Sequence, residues 1–184
     1  MAPNGHAIGQ RVHEITLFDE TAIAWCNLPD DEMIVLFTPV VPPPSSNGSG
    51  QSKDPFEDLG RALGSIHPGP IRHVPYLPKI GVTDTHVNYI DQTATIMVVV
   101  CEPAGYSSEA QQASVDQQTI FARNAMSVYH RIHEGTEPDA LILLYCGRNS
   151  FHGPDSIGTC LRVDGYTGDY WPAVANKVLR GQDS

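Results

Sequence analysis

Apolar residues in this chain come in short unbroken runs rather than in alternation. Five of these runs have the length of strands: Met33 to Phe37, Ile71 to Val74, Thr95 to Val100, Leu141 to Tyr145 and Thr159 to Val163. Alternation would mark a sheet with one wet face, whereas continuous Val, Ile and Leu predict parallel strands covered on both faces. Between the runs the period changes to that of a helix. Asp54-Pro55-Phe56-Glu57 sets a capping Asp, a first-turn Pro and an acidic residue ahead of Leu59, Ala62 and Leu63. Thr83-Asp84 opens a short helix carrying Val87 and Ile90, and Ser114-Val115-Asp116-Gln117 reads as a capping box before Phe121, Ala125, Val128 and Ile132. Gly168-Asp169 precedes a last amphipathic run through Trp171, Val174, Val178 and Leu179, which stops at Gly181. Strand and helix alternate throughout, the pattern of an α/β, doubly wound, three-layer fold.

Two segments stand outside this alternation. Ile15 to Phe18, followed by Ala22 to Pro29, predicts an extra N-terminal strand or a strap across the sheet. Pro42-Pro43-Pro44-Ser45-Ser46-Asn47-Gly48-Ser49-Gly50 is the one low-complexity stretch, and it predicts a mobile loop over residues 42–53. Residues 1–12 read as a flexible N-terminus and 13–184 as one domain, since 184 residues suit one good core and not two large ones.

Charge narrows the partners. A formal net charge of -10 disfavours nucleic acid and anionic membranes, both polyanions. No apolar run approaches the roughly 20 residues that span a bilayer, and the polar start Met1-Ala2-Pro3-Asn4-Gly5-His6 has no signal core, so a cytoplasmic location is expected. Cys26, Cys101, Cys146 and Cys160 form no C-x-x-C pair and read as packed thiols. The eight histidines are scattered without a metal-binding spacing, so no metal is expected. With no G-x-G-x-x-G and no G-x-x-x-x-G-K-[ST], no nucleotide cofactor is expected either.

Several fragments, in order, carry a resemblance. Glu14-Ile15-Thr16-Leu17 with Leu28-Pro29, the helix start Asp54 to Leu63, the strand Ile71 to Tyr76, the helix start Gly81-Val82-Thr83-Asp84-Thr85-His86, and the turn Arg148-Asn149-Ser150-Phe151 resemble the C-terminal domain of glycoside hydrolase family three. The similarity is to its N-acetylglucosaminidase branch and runs from about residue 13 to the end. It implies a flavodoxin-like, mainly parallel sheet of about five strands in the order 2-1-3-4-5. It also implies that the family's nucleophile and acid/base pair lie on a barrel this chain does not contain, so no residue here inherits either role. The turn departs from the family at Phe151-His152-Gly153, and the opening departs at Cys26-Asn27.

Such sheets bind ligands beyond the carboxyl ends of their strands, where the winding direction reverses. Here that point falls between the strand ends at Thr38-Pro39 and Cys101-Glu102. Glu102 is a candidate general acid or base and Cys101 a candidate nucleophile. Asp84 and His86 are a candidate acid-base pair, although residues two apart on a helix face different ways. The plainer readings are a strand-end carboxylate, a packed thiol and a helix-start dipole partner. Thr38, Arg148, Asn149, His152 and Asp155 are candidate ligand-binding residues, with Arg148 as a bidentate clamp. Tyr166 and Tyr170 are candidate stacking rings, with Trp171 in the core.

Three readings follow, one of them a fragment of a full glycosidase whose activity is lost with the barrel; the other two assign a function. One is a noncatalytic module that binds a small-molecule or sugar-like ligand, or associates with its own copy as a homo-oligomer. The other is a repurposed small enzyme, an isomerase, dehydratase or cyclase, using acid-base chemistry at the sheet edge. Glycoside hydrolysis needs two carboxylates flanking one bond, and no pair here has that claim.

Overall fold

The computed structural model describes residues 13–17, 25–43, 54–134, 140–151, 153–154 and 159–181. In chain order the elements are β1 (His13–Leu17), β2 (Ile34–Pro39), α1 (Glu57–Gly64), β3 (Ile71–Tyr76), α2 (Asp84–Gln92), β4 (Ile96–Cys101), α3 (Ser108–Ile132), β5 (Leu141–Cys146), β6 (Thr159–Val163) and α4 (Trp171–Arg180). The sheet order is β1-β6-β5-β4-β2-β3. Strands β2 to β6 are all parallel, and counted among themselves they run 2-1-3-4-5. β1 adds an antiparallel edge on β6, which is the extra N-terminal strand. The flexible start over residues 1–12 and most of the 42–53 loop lie outside the described residues.

The continuous apolar runs are explained by covering on both faces. Every position of β2, β4 and β5 is buried. Along β4, Met97, Val99 and Cys101 face one way and join Leu59 and Leu63 of α1 and Trp171, Val174 and Val178 of α4. Ile96, Val98 and Val100 face the other way and join Ile90 of α2 and Phe121, Ala122 and Ala125 of α3. The period of two thus deals alternate residues of one strand into two separate cores. Each fully buried Val, Leu or Ile contributes about 1.5–3 kcal/mol, so the central strands dominate stability.

Local signals set the helix ends. Asp54 Oδ1 accepts the Phe56 N–H at 2.9 Å ahead of α1. Thr83 is the N-cap of α2, and His86 Nδ1 accepts its N–H at 3.0 Å. Gly181 takes φ 64° to stop α4, its N–H donating to the Lys177 carbonyl. The third helix corrects the sequence expectation. It starts at Ser108, capped by Ser107, whose Oγ accepts the Ala110 N–H at 3.3 Å. Glu109 to Ala113 are good helix formers, so nothing delays the start to Ser114. Ser114 Oγ instead accepts a bond from Gln118 Nε2 at 3.1 Å.

Candidate functional site

The first crossover, β2-α1-β3, winds one way, and the next, through α2 to β4, winds back across β2. The reversal therefore opens between the carboxyl ends of β2 and β4, where the two strands pair only from Val35–Phe37 to Ile96–Val98. Beyond that the chain's own side chains occupy the gap. Tyr76 Oη donates to the Val99 carbonyl at 2.7 Å, and its ring stacks on Phe121 at 3.7 Å. The fully buried Gln118 imitates a neighbouring strand: its Oε1 accepts the Cys101 N–H at 2.8 Å and its Nε2 donates to the Cys101 carbonyl at 2.9 Å. Above them Tyr166 Oη accepts the Ala104 N–H at 2.7 Å and donates to the Pro42 carbonyl at 2.9 Å. Three polar side chains thus satisfy backbone groups that divergence would leave orphaned.

The open concavity lies one step over, beyond the carboxyl ends of β4, β5 and β6. It encloses about 340 Å³ and is lined by Glu102, Gln111, Arg148, Asp164, Tyr166, Thr167 and Tyr170, among others. Glu102 organises its floor. Tyr145 Oη donates to Glu102 Oε1 at 2.6 Å, the Asn149 N–H to Oε1 at 3.0 Å and the Arg148 N–H to Oε2 at 3.1 Å. The opposite side of the same turn is held by Arg162, which donates from Nε to the Gly147 carbonyl at 3.1 Å and from its guanidinium to the Arg148 carbonyl. Between the two clamps sits Gly147, where an added Cβ would lie 2.6 Å from Tyr145 Oη and 2.7 Å from Glu102 Cδ. Partial burial alone would raise the Glu102 pKa. The bonds from Tyr145, Arg148 and Asn149 outweigh it and hold the carboxyl below the usual glutamate range. The Tyr145 hydroxyl moves upward, through burial and through its bond to that carboxylate, and stays a donor.

The other candidates are dispersed. Cys101 is fully buried, and desolvation, with the Glu102 charge adding, keeps its thiol protonated. Asp84 is exposed while His86, two residues on, is buried against Phe37 and Phe121, so the pair does not meet. Thr38 is buried, and its Oγ1 is hydrogen-bonded to His73 Nε2. Asp54 Oδ2 approaches that same nitrogen at 3.6 Å. A relay to a hydroxyl needs the carboxylate on the other ring nitrogen, so this trio anchors the start of α1 rather than activating Thr38. Arg148 and Asn149 are exposed, and Arg148 borders the cleft; His152 and Asp155 lie outside the described residues.

The structure thus brings Glu102, Arg148 and Asn149 together and leaves Cys101, Asp84, His86 and Thr38 elsewhere. Tyr145, Arg162, Gly147 and Gln118 were not foreseen. One signal was available: Gln118 interrupts the apolar face Val115, Phe121, Ala122, Ala125, and a polar residue there must find a buried partner. Among the described residues no group of three or more His, Cys, Asp or Glu is placed to hold a metal ion. No helix among them is long and apolar enough to cross a membrane.

No family model matches the chain, and no curated protein matches it. In three dimensions it is similar to a glycoside hydrolase family 3 β-N-acetylglucosaminidase from Paenibacillus sp. str. FPU-7, with a TM-score of 0.53 and 16% identity. That match covers 94% of this chain and 28% of the hydrolase chain, so the present chain spans well under a third of it. At that identity the likeness is one of fold.

Proposed function

We propose that this chain is a noncatalytic module, like the C-terminal domain of family 3 glycosidases in fold, that binds a small sugar-like ligand in the cleft beyond β4–β6. The observation that carries this reading is the commitment of Glu102. A general acid needs a raised pKa and a proton to give; this carboxylate has a lowered one and donors from three residues on it. What faces the cleft is suited to holding a ligand. Arg148, Asp164, Gln111 and Thr167 offer planar and hydroxyl groups that match vicinal hydroxyls, and Tyr170 offers a ring face. A rigid turn presents Arg148, because both its N–H and its carbonyl are tied.

The test is saturation-transfer NMR and calorimetry of the full chain with N-acetylglucosamine, glucose, galactose and uronic acids, with mass spectrometry of each mixture alongside. One class should bind without turnover, and Arg148→Ala and Tyr170→Ala should each weaken it about ten-fold, the scale of one lost charged or stacking contact. Silence across the panel would sink the reading. Turnover that Arg148→Ala abolishes would replace it with the small-enzyme alternative.

A further inference from the structure

The carboxyl ends of β5 and β6 stop together, and this sets two charged residues beside each other. Cys146 pairs with Val163, and the Gly147 N–H donates to the Val163 carbonyl at 2.9 Å, so the pairing runs one residue past β5. Asp164 comes next on one side and Arg148 on the other, and both line the cleft of about 340 Å³. Their backbone is held. The Arg148 N–H is bonded to Glu102 and its carbonyl to Arg162. The segment after Asp164 is anchored by Tyr166, whose hydroxyl is bonded to Ala104 and Pro42. Groups carried on a fixed backbone lose little freedom when a ligand arrives.

Charge at this end of the sheet divides into two sets. Glu102 and Arg162 are committed to the turn, one to its N–H groups and the other to its carbonyls. Arg148 and Asp164 are not. Both are exposed, and among the described residues neither side chain makes a hydrogen bond or ion pair, with the other or with a third group. Opposite charges that share a concavity without pairing leave it positive toward Arg148 and negative toward Asp164. A purely anionic ligand meets Asp164 and a purely cationic one meets Arg148, with like-charge repulsion in either case. A ligand that carries both charges avoids it. The volume is at the lower end of the roughly 300–1,000 Å³ of ligand pockets, which is room for one ring rather than a chain of rings.

We propose that the ligand of this cleft is zwitterionic, a single sugar-like ring whose carboxylate pairs with Arg148 and whose amine pairs with Asp164. This rests on the reading of the cleft as the site of a sugar-like ligand, and it names the class. A guanidinium takes a carboxylate through two parallel N–H donors, so Arg148 fixes the orientation of the ring as well as attracting it.

The test is calorimetry of the full chain with four rings: glucose, glucuronic acid, glucosamine and glucosaminuronic acid, which carries both charges. The pH is about 6.5, where amines are protonated and carboxylates ionised. Glucosaminuronic acid should bind about twenty-fold more tightly than glucose, since each exposed ion pair contributes up to about five-fold and the two act independently. Arg148→Gln should bring it level with glucosamine, and Asp164→Asn should bring it level with glucuronic acid. Both substitutions fall at exposed positions, so the fold is kept. Equal binding of all four rings overturns the zwitterion and leaves the sugar site standing. So does glucuronic acid or glucosamine matching glucosaminuronic acid in the unaltered protein. A preference for glucosaminuronic acid that survives in both variants overturns the assignment of its charges to these residues. Absence of binding by all four rings removes the sugar site and the zwitterion together.

Discussion

Removing the Glu102 side chain should destabilise the protein through its carboxylate bonds, and the size of the effect separates a structural role from a catalytic one. In Glu102→Ala the Tyr145 hydroxyl, on a side chain only 1% exposed, loses its acceptor. A bond to a charged group contributes about 1.5–3 kcal/mol. The Arg148 and Asn149 N–H groups lose theirs too, but sit on exposed residues and can turn to water, adding about 1 kcal/mol together. The total is about 2.5–4 kcal/mol. Glu102→Gln should cost less, because Oε1 accepts both the Tyr145 and Asn149 bonds and an amide oxygen can replace it. The Arg148 bond to the other oxygen is lost, about 0.5 kcal/mol. Urea unfolding followed by far-UV circular dichroism at neutral pH, with constant slope, measures both. Acid gives a second reading. With the folded pKa below the ordinary glutamate value of about 4.3, the contribution is complete above that value and is lost as pH falls through the folded one. The wild type should therefore lose more stability than Glu102→Gln on acidification below that point. A Glu102→Ala protein within about 0.5 kcal/mol of wild type, the scatter of ordinary surface changes, would refute the reasoning.

Three further outcomes test neighbouring claims. Gly147→Ala should cost about 1–3 kcal/mol in the same assay, since its Cβ would sit 2.6 Å from Tyr145 Oη in a turn clamped on both sides. Gln118→Leu should cost about 2–4 kcal/mol, because the Cys101 N–H and carbonyl are both left buried without a side-chain partner; native-state hydrogen exchange should then quicken at Cys101. Burial, partly opposed by the Pro75 carbonyl, lowers the His86 pKa, so the unfolded chain binds the proton more readily. Thermal stability should drop as pH falls below about 6.5, and His86→Gln should drop less.

The fold was legible because its determinants are local and repeated. Unbroken runs such as Met97-Val98-Val99-Val100 need two covered faces, and only an α/β order of elements supplies them here. Thr83 and Gly181 mark their helix ends with single-residue chemistry that any sequence shows. The site was less legible because it depends on which groups meet across the sheet. Glu102 and Arg148 were named, but not that a Glu102 oxygen takes the Arg148 N–H, a backbone group with no signature of its own. Arg162 has no motif of its own in the sequence, and its grip on the Gly147 and Arg148 carbonyls depends on a register that pairs Tyr145 with Arg162. The Ser114 box misled because a capping motif is also an ordinary stretch of helix when good formers precede it.

The two halves of the carboxyl edge show how one topology yields different surfaces. Where β2 and β4 part, backbone groups lose their sheet partners, and Tyr76, Gln118 and Tyr166 replace them. A ligand entering there would have to displace bonds to five backbone groups, those of Val99, Cys101, Ala104 and Pro42, at about 0.5–1.5 kcal/mol each. Where β4, β5 and β6 stay in register to their ends, the sheet needs no such repair. Polar side chains at that end are released to hold a turn and line a cleft. The proposed ligand site therefore lies beside the reversal point rather than in it, and under that proposal substitutions at Arg148 should affect affinity while those at Gln118 affect folding.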